Sequence, residues 1–136
     1  MTARERGRWL VEEGEAIFQR DLEAALTAGD YNLAVRRAQE VVELSLKGAL
    51  AALGVEYPKA HHVGDVFAEQ AKRKLRAPDD ILKRIERVSL WLSEARAPAF
   101  YLDRDFTRED AEKAREDAAF VLEAIKELLG EGDGER

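Results

Sequence analysis

The chain has 136 residues and no cysteine, and its formal net charge is −6. Without thiols it has no disulfides, thiolate zinc sites, iron–sulfur clusters or cysteine nucleophile. Its apolar stretches are far shorter than the roughly 20 residues of a membrane-spanning helix, and its charged N-terminal region lacks the apolar core of a signal peptide. These features predict a cytoplasmic protein that is not embedded in a membrane.

The charge is unevenly distributed along the chain. Residues 72–108 carry ten Lys and Arg against six Asp and Glu, whereas the sections on either side are net acidic. This basic middle section is the part that would attract phosphate, but solvated helix faces are the plainer interpretation. A chain that is acidic overall is a poor candidate for tight, sequence-independent binding of duplex nucleic acid.

Helical periodicity begins close to the N-terminus. Apolar residues at helical spacing predict a first helix from Ala3 to Ala28, after which Gly29 and Asp30 supply a C-terminal cap and the next N-cap. A second helix is predicted from Tyr31 to Leu53. We expect it at the centre of the fold, because it is apolar around most of its circumference. One of its stripes consists of small residues that let a neighbouring backbone approach closely: Ala34, Ala38, Val41, Ser45, Ala49 and Ala52.

Proline residues mark the later helix boundaries. A short third helix is expected to start at His61 or His62 and to end at Leu75. A fourth is expected to open at Pro78 and close at Pro98. The segment 100–106 is then expected to be a loop that aromatic side chains anchor.

A last helix is expected after Thr107, since Thr107 and Asp110 have the spacing of a capping box. With no strand pattern, the chain is predicted to be all-α, an antiparallel bundle of about five helices. This bundle is expected to occupy residues 1–129, and a flexible charged tail is expected at 130–136.

Three elements of the chain together resemble the HEPN family of helical bundles. The first is an amphipathic helix with Glu and Lys four residues apart, then a Gly, then Pro-x-x-His. The second is similar to the family's Ala-Arg-Tyr-Pro element, with Ala in place of Tyr, and the third is similar to its usual entry to the last helix. The matching residues are Asp30–Tyr31, Ala34, Ala38, Glu43, Lys47, Gly54 and Pro58–His61; Ala95–Pro98; and Phe106–Ala111.

This resemblance extends from about Trp9 to Leu129 and implies a function. HEPN proteins carry a supposed nucleotide-binding role, often pair with a small nucleotidyltransferase of the polymerase-β type and often form homodimers. The family's ribonucleases have an Arg followed four to six residues later by a His. Here the only histidines are His61 and His62, and the nearest preceding arginine is Arg37. The resemblance therefore implies a binding module of the non-nuclease kind, with no cofactor and no metal.

The candidate ligand-binding residues are Lys47, His61, Arg96, Tyr101 and Arg104. Arginines beside an aromatic ring can stack a base and bind a phosphate, so a nucleotide or RNA is the expected ligand. Each candidate also has a purely structural interpretation. Lys47 has the spacing of an ion pair with Glu43, His61 could make a capping or interhelical hydrogen bond, and Tyr101 could dock a loop beside solvated arginines.

Two other functions remain open at this point. One is a ribonuclease that uses His61 with an arginine brought in from another helix or subunit. The other is a structural homo-oligomer whose interface includes Trp9 or Trp91. Adjacent histidines on a helix point about 100° apart, so His61 and His62 do not form a chelating pair.

Overall fold

A computed structural model describes residues 1–130. The first helix runs without a break from α1 (Ala3–Ala16) through a π-helical segment (Ile17–Leu22) into α2 (Glu23–Thr27). The helices α3 (Tyr31–Ala52), α4 (Gly64–Leu75), α5 (Asp79–Tyr101) and α6 (Arg108–Leu128) follow. Within residues 1–130 there are thus five helical rods and no strand, which confirms the predicted all-α bundle. Apart from Gly130, the charged tail predicted at 130–136 lies outside the described residues.

Helix α3 lies at the centre of the bundle, where it packs against α1, α5 and α6. The predicted stripe of small residues is buried from Ala34 to Ala49 and becomes half-buried at Ala52. A helix that is surrounded on several sides must be apolar over most of its circumference, as this one is. None of the helices within residues 1–130 has the length and apolar content needed to cross a membrane.

Glycines bring α1 and α3 into unusually close contact. A Cβ atom added to Gly7 would lie 2.4 Å from the Gly48 carbonyl oxygen, and one added to Gly48 would lie 2.6 Å from the Gly7 carbonyl oxygen. Either distance is far below van der Waals contact, so only hydrogen fits at both positions. At this crossing the backbones of α1 and α3 approach each other closely because α3 carries a glycine there.

The end of α5 differs from the prediction. The helix does not close at Pro98 but continues to Tyr101, so Phe100 and Tyr101 are helical and exposed rather than loop anchors. Because Pro98 lies in the last turn, its missing N–H removes one intrahelical hydrogen bond, and the buried Ala95 and Ala99 still hold that turn against the core. The helix ends where Leu102 adopts a left-handed φ of 60°.

The start of α4 also differs, because the helix begins at Gly64 rather than at His61 or His62. A hydrogen bond of 2.8 Å joins His62 Nδ1 to Ser89 Oγ, and the Gly64 N–H donates to the same oxygen at 3.2 Å. These bonds tie the segment before α4 to α5 while Val63 remains non-helical. The predicted capping box of the last helix is confirmed, since the Thr107 side chain accepts the Asp110 N–H and the Asp110 carboxylate accepts the Thr107 N–H.

Candidate ligand-binding surface

Glu43 is the centre of a polar network on the face of α3 that looks toward α4 and α5. Its Oε1 accepts hydrogen bonds from Gln39 Nε2 and His61 Nδ1, each at 2.8 Å, and its Oε2 accepts one from Lys47 Nζ at 2.7 Å. Gln39, Glu43 and Lys47 reach one another because side chains four residues apart share a helix face. His61 joins them from the segment before α4.

Arg96 brings α5 into the same network. Its Nη1 donates to Gln39 Oε1 at 2.6 Å and lies 3.7 Å from a carboxylate oxygen of Glu40. Gln39 is only 2% exposed, and its buried amide bonds to both neighbours: it accepts from Arg96 and donates to Glu43. We call Gln39, Glu43, Lys47, His61 and Arg96 the α3 network.

The electrostatics of the α3 network favour an ionised carboxylate. Burial by itself raises the pKa of Glu43, but hydrogen bonds from Lys47, Gln39 and His61, together with the charge of Lys47, outweigh it and hold that pKa below its usual value. The negative charge is thus matched by Lys47 beside it and by Arg96 beyond Gln39. Lys47 also lies 5.5 Å from the centre of the Tyr57 ring, which extends the network toward the loop after α3.

A second feature, at the C-terminal end of α5, is an exposed cluster of large apolar side chains. Phe100, Tyr101 and Leu102 are 54%, 68% and 71% exposed. The two rings meet edge to face with their centroids 4.9 Å apart, and the guanidinium of Arg36 lies 4.7 Å from the centre of the Phe100 ring. Three consecutive large apolar residues in solvent are typical of a binding surface rather than of ordinary surface composition.

Arg104 completes this end of the molecule. Its guanidinium lies 4.5 Å from the centre of the buried Phe106 ring and 3.6 Å from a carboxylate oxygen of Asp110, yet most of the side chain is exposed. We call Arg36, Phe100, Tyr101, Leu102 and Arg104 the α5 tip. Its arrangement combines aromatic faces with planar cations, which is the chemistry that holds a base and a phosphate.

The family model of the HEPN domain matches residues 8–128 of this chain. The chain belongs to the HEPN family. A solved structure, TT1696 from Thermus thermophilus, is similar to it, with a TM-score of 0.74 and 26% sequence identity over 90% of this chain and 98% of that one. No curated protein matches the sequence.

In this HEPN bundle the five predicted ligand-binding residues fall into two groups. Lys47, His61 and Arg96 lie together in the α3 network, whereas Tyr101 and Arg104 lie at the α5 tip. The two groups adjoin along α3, where Arg96 reaches Glu40, Glu40 binds Arg37, and Arg36 contacts Phe100. The structure therefore places the candidates in two neighbouring groups rather than in one pocket.

Sequence reasoning missed several members of this surface. Periodicity gives Gln39 no special role, although it is the residue that joins Arg96 to Glu43. It likewise makes Arg36 a surface charge and Phe100 a loop anchor. The contact between these two follows from the helical continuation through Pro98, which brings Phe100 close to α3. The position of Gln39, four residues before Glu43, is the one available signal for its role.

His62 does not belong to this surface. It lies between Ser89 and Asp65, with Nδ1 2.8 Å from Ser89 Oγ and Nε2 3.8 Å from an Asp65 oxygen. The set looks like a nucleophile, base and orienting acid, but Ser89 is only 2% exposed and accepts the Gly64 N–H. Burial therefore assigns these residues to holding α4 against α5. Within residues 1–130, no group of three or more His, Asp or Glu side chains is placed to hold a metal ion.

Proposed function

We propose that this HEPN domain is a binding module that holds a nucleotide, or a nucleotide-bearing ligand, at the α5 tip beside the α3 network. The observation that supports the proposal is the exposed aromatic pair Phe100–Tyr101, with the Arg36 guanidinium against the Phe100 ring. The largely exposed Arg104 follows three residues after Tyr101 in the chain. A base would stack on Tyr101, and a phosphate would take the place of solvent at Arg104. Neither step requires a buried group to lose its partner.

The α3 network has a supporting role in this proposal. Lys47 and Arg96 already have partners inside the protein, so a ligand that bound them directly would have to replace strong charge-assisted hydrogen bonds. Their contribution is instead structural, since Arg96 joins α5 to α3 beside the α5 tip through Gln39 and Glu40, and Lys47 lies further along α3 with Glu43. We therefore expect the exposed residues of the tip to matter more for affinity than Arg96, and Arg96 more than Lys47.

Calorimetric titration with ATP tests the ligand. Tyr101→Ala should weaken binding about tenfold, which is the usual value of one stacked base. Its side chain is mostly solvent-exposed, so the fold should be unaffected. Arg96→Ala should weaken binding less. Trp9→Ala is the control, because Trp9 is a similarly exposed aromatic residue on α1, and it should bind ATP like the wild type. If neither ATP nor the other ribonucleoside triphosphates release heat with the wild type, the ligand half of the proposal is wrong.

The proposal includes two partners that the family resemblance implies, a nucleotidyltransferase and a second copy of the chain. Affinity purification from the native host with mass spectrometry addresses the first. A stoichiometric nucleotidyltransferase would support the proposal, and recovery of this chain alone would remove that partner. Sedimentation at micromolar concentration addresses the second, where a monomer would exclude a stable homodimer.

A ribonuclease is the second candidate, and one observation favours it. The Glu43 carboxylate orients the exposed His61 ring through Nδ1, and Arg96 is connected to the same carboxylate through Gln39. In a ribonuclease of this kind, Arg96 from another helix would take the place of the arginine in the missing Arg-x4-6-His motif. Cleavage of a fluorescent RNA that disappears in a His61→Ala/His62→Ala variant would support this function. Absence of cleavage by the wild type would eliminate it, in line with our proposal that the chain is not an enzyme.

A further inference from the structure

Asn32, the second residue of α3, makes three hydrogen bonds to the chain around the α5 tip. Its Nδ2 donates to the Ala99 carbonyl at 3.2 Å and to the Arg104 carbonyl at 2.8 Å. Its Oδ1 accepts the Phe106 N–H at 2.9 Å. The Asn32 amide thus uses both its N–H donors and its oxygen acceptor to bind a segment, residues 99–106, that lies roughly 70 residues away in sequence.

The need for these bonds arises from how α5 ends. The N–H groups of Leu102 and Asp103 both bond to the Pro98 carbonyl, because Leu102 adopts a left-handed backbone. Asp103 would otherwise be the helical donor for Ala99, so the carbonyl of the buried Ala99 needs a donor from elsewhere. Asn32 supplies it, and its other two bonds fix the following residues as far as the buried Phe106.

We infer that Asn32 is the positioning residue of the α5 tip, an inference that rests on the proposed function. Arg104 is held at both ends. Asn32 binds its carbonyl, and the Phe106 ring and Asp110 hold its guanidinium. In sequence, Tyr101 lies between Ala99 and Arg104, the two residues whose carbonyls Asn32 binds. Without Asn32, Tyr101 and Arg104 would still be present, but their separation and orientation would no longer be set before the ligand arrives, and preorganisation would be lost.

The chemistry of the amide is specific. An aspartate at this position keeps the acceptor for Phe106 but has no donor for the two carbonyls, and it brings a negative charge against both oxygens. An alanine removes all three bonds. Asn32→Asp and Asn32→Ala should therefore both free the segment 102–105, whereas only Asn32→Asp retains an acceptor for the Phe106 N–H.

Hydrogen exchange measured by NMR tests the positioning without any ligand. In Asn32→Ala the Phe106 amide should exchange at least about tenfold faster than in the wild type, and in Asn32→Asp it should stay closer to the wild-type rate. Ile125→Val in α6 is the control, because it weakens the buried core without touching the tip, and it should leave the relative protection of Phe106 unchanged. An unchanged Phe106 amide in Asn32→Ala would overturn the inference.

ATP titration of the same variants tests the functional consequence. Asn32→Ala and Asn32→Asp should both bind about five- to tenfold more weakly than the wild type, whereas Ile125→Val should bind normally. Equal weakening in all three variants would show a general loss of fold and contradict a positioning role, as would wild-type affinity in Asn32→Ala. If the wild type binds no nucleotide, the proposed function fails by itself, and the exchange data alone then decide whether Asn32 holds the tip.

Discussion

The two sides of α3 meet their neighbours in opposite ways. Toward α1 the contact is between backbones, with Gly7 and Gly48 so close that no side chain fits between them. Toward α5 the contact is a chain of charged and amide groups, from Arg96 through Gln39 to Glu43, next to aromatic rings that remain in solvent. One helix thus serves stability on one side and, in our proposal, recognition on the other, because its two faces carry side chains of different size and charge.

The largest expected effect is at the tight crossing. Gly48→Ala places a methyl group 2.6 Å from the Gly7 carbonyl oxygen, so α1 must move away, at a cost of about 3 kcal/mol. Urea denaturation followed by circular dichroism measures the change. Gly14→Ala is the matched control on α1, because its added Cβ would lie 3.2 Å or more from its neighbours and should cost much less. Equal losses in both variants would contradict the role of the Gly7–Gly48 crossing.

A smaller loss is expected on the polar side. Gln39→Met keeps the volume but removes the acceptor of Arg96 and one donor to Glu43, which should cost about 2 kcal/mol. Gln19→Met, at an exposed glutamine of the π-helical segment, should be nearly neutral in the same denaturation experiment. A neutral Gln39→Met would contradict a stabilising role for the hydrogen bonds that Gln39 makes to Arg96 and Glu43.

At the α5 tip a substitution should raise the free energy of unfolding instead of lowering it. Leu102 holds a left-handed φ of 60° with its side chain in solvent, so Leu102→Gly should stabilise the protein by about 1 kcal/mol. Arg76→Gly, at the left-handed end of α4, should give a similar gain. Thermal melting measures both. Because Leu102 belongs to the α5 tip and Arg76 does not, only Leu102→Gly should lower ATP affinity. An equal loss in Arg76→Gly would contradict a specific role of the tip in binding.

The smallest effect concerns acid stability. The pKa of Glu43 is lower in the folded state than its ordinary value of 4.5. Its stabilisation is therefore complete above that value and is lost as the pH falls through the folded-state pKa. Glu43→Gln should flatten the fall in unfolding free energy below about pH 4.5. Urea midpoints measured from pH 6 downward test this expectation, with Glu69→Gln on the exposed face of α4 as the control. A slope identical to that of the wild type would contradict it.

Local patterns were sufficient for most of the architecture. Thr107 and Asp110 predicted the start of α6, and the apolar circumference of α3 predicted its central place, because caps and amphipathic faces are set by residues three or four apart. The order of elements around Glu43, Lys47 and Pro58–His61 also indicated the family that the domain match confirms. The same local rules gave two wrong boundaries, at Pro98 and at His61, where contacts with other helices override them.

The candidate surface depended on long-range contacts instead. Asn32 contacts a segment after α5, Gln39 binds Arg96 from another helix, and Arg36 reaches Phe100 only because α5 continues through Pro98. No spacing along the chain encodes such pairs, since each depends on how two helices lie against each other.

The sequence by itself determined the all-α class, the central helix and the small-residue stripe, which follow from periodicity and from residue types at short range. Its resemblance to the HEPN family indicated the membership that the family model shows. Only the tertiary structure decided which polar groups meet. It separated the α3 network from the α5 tip and placed Asn32 beneath the tip. The physical reason is that a hydrogen bond between helices is fixed by packing to within a few tenths of an ångström, whereas a sequence pattern specifies only which face a side chain is on.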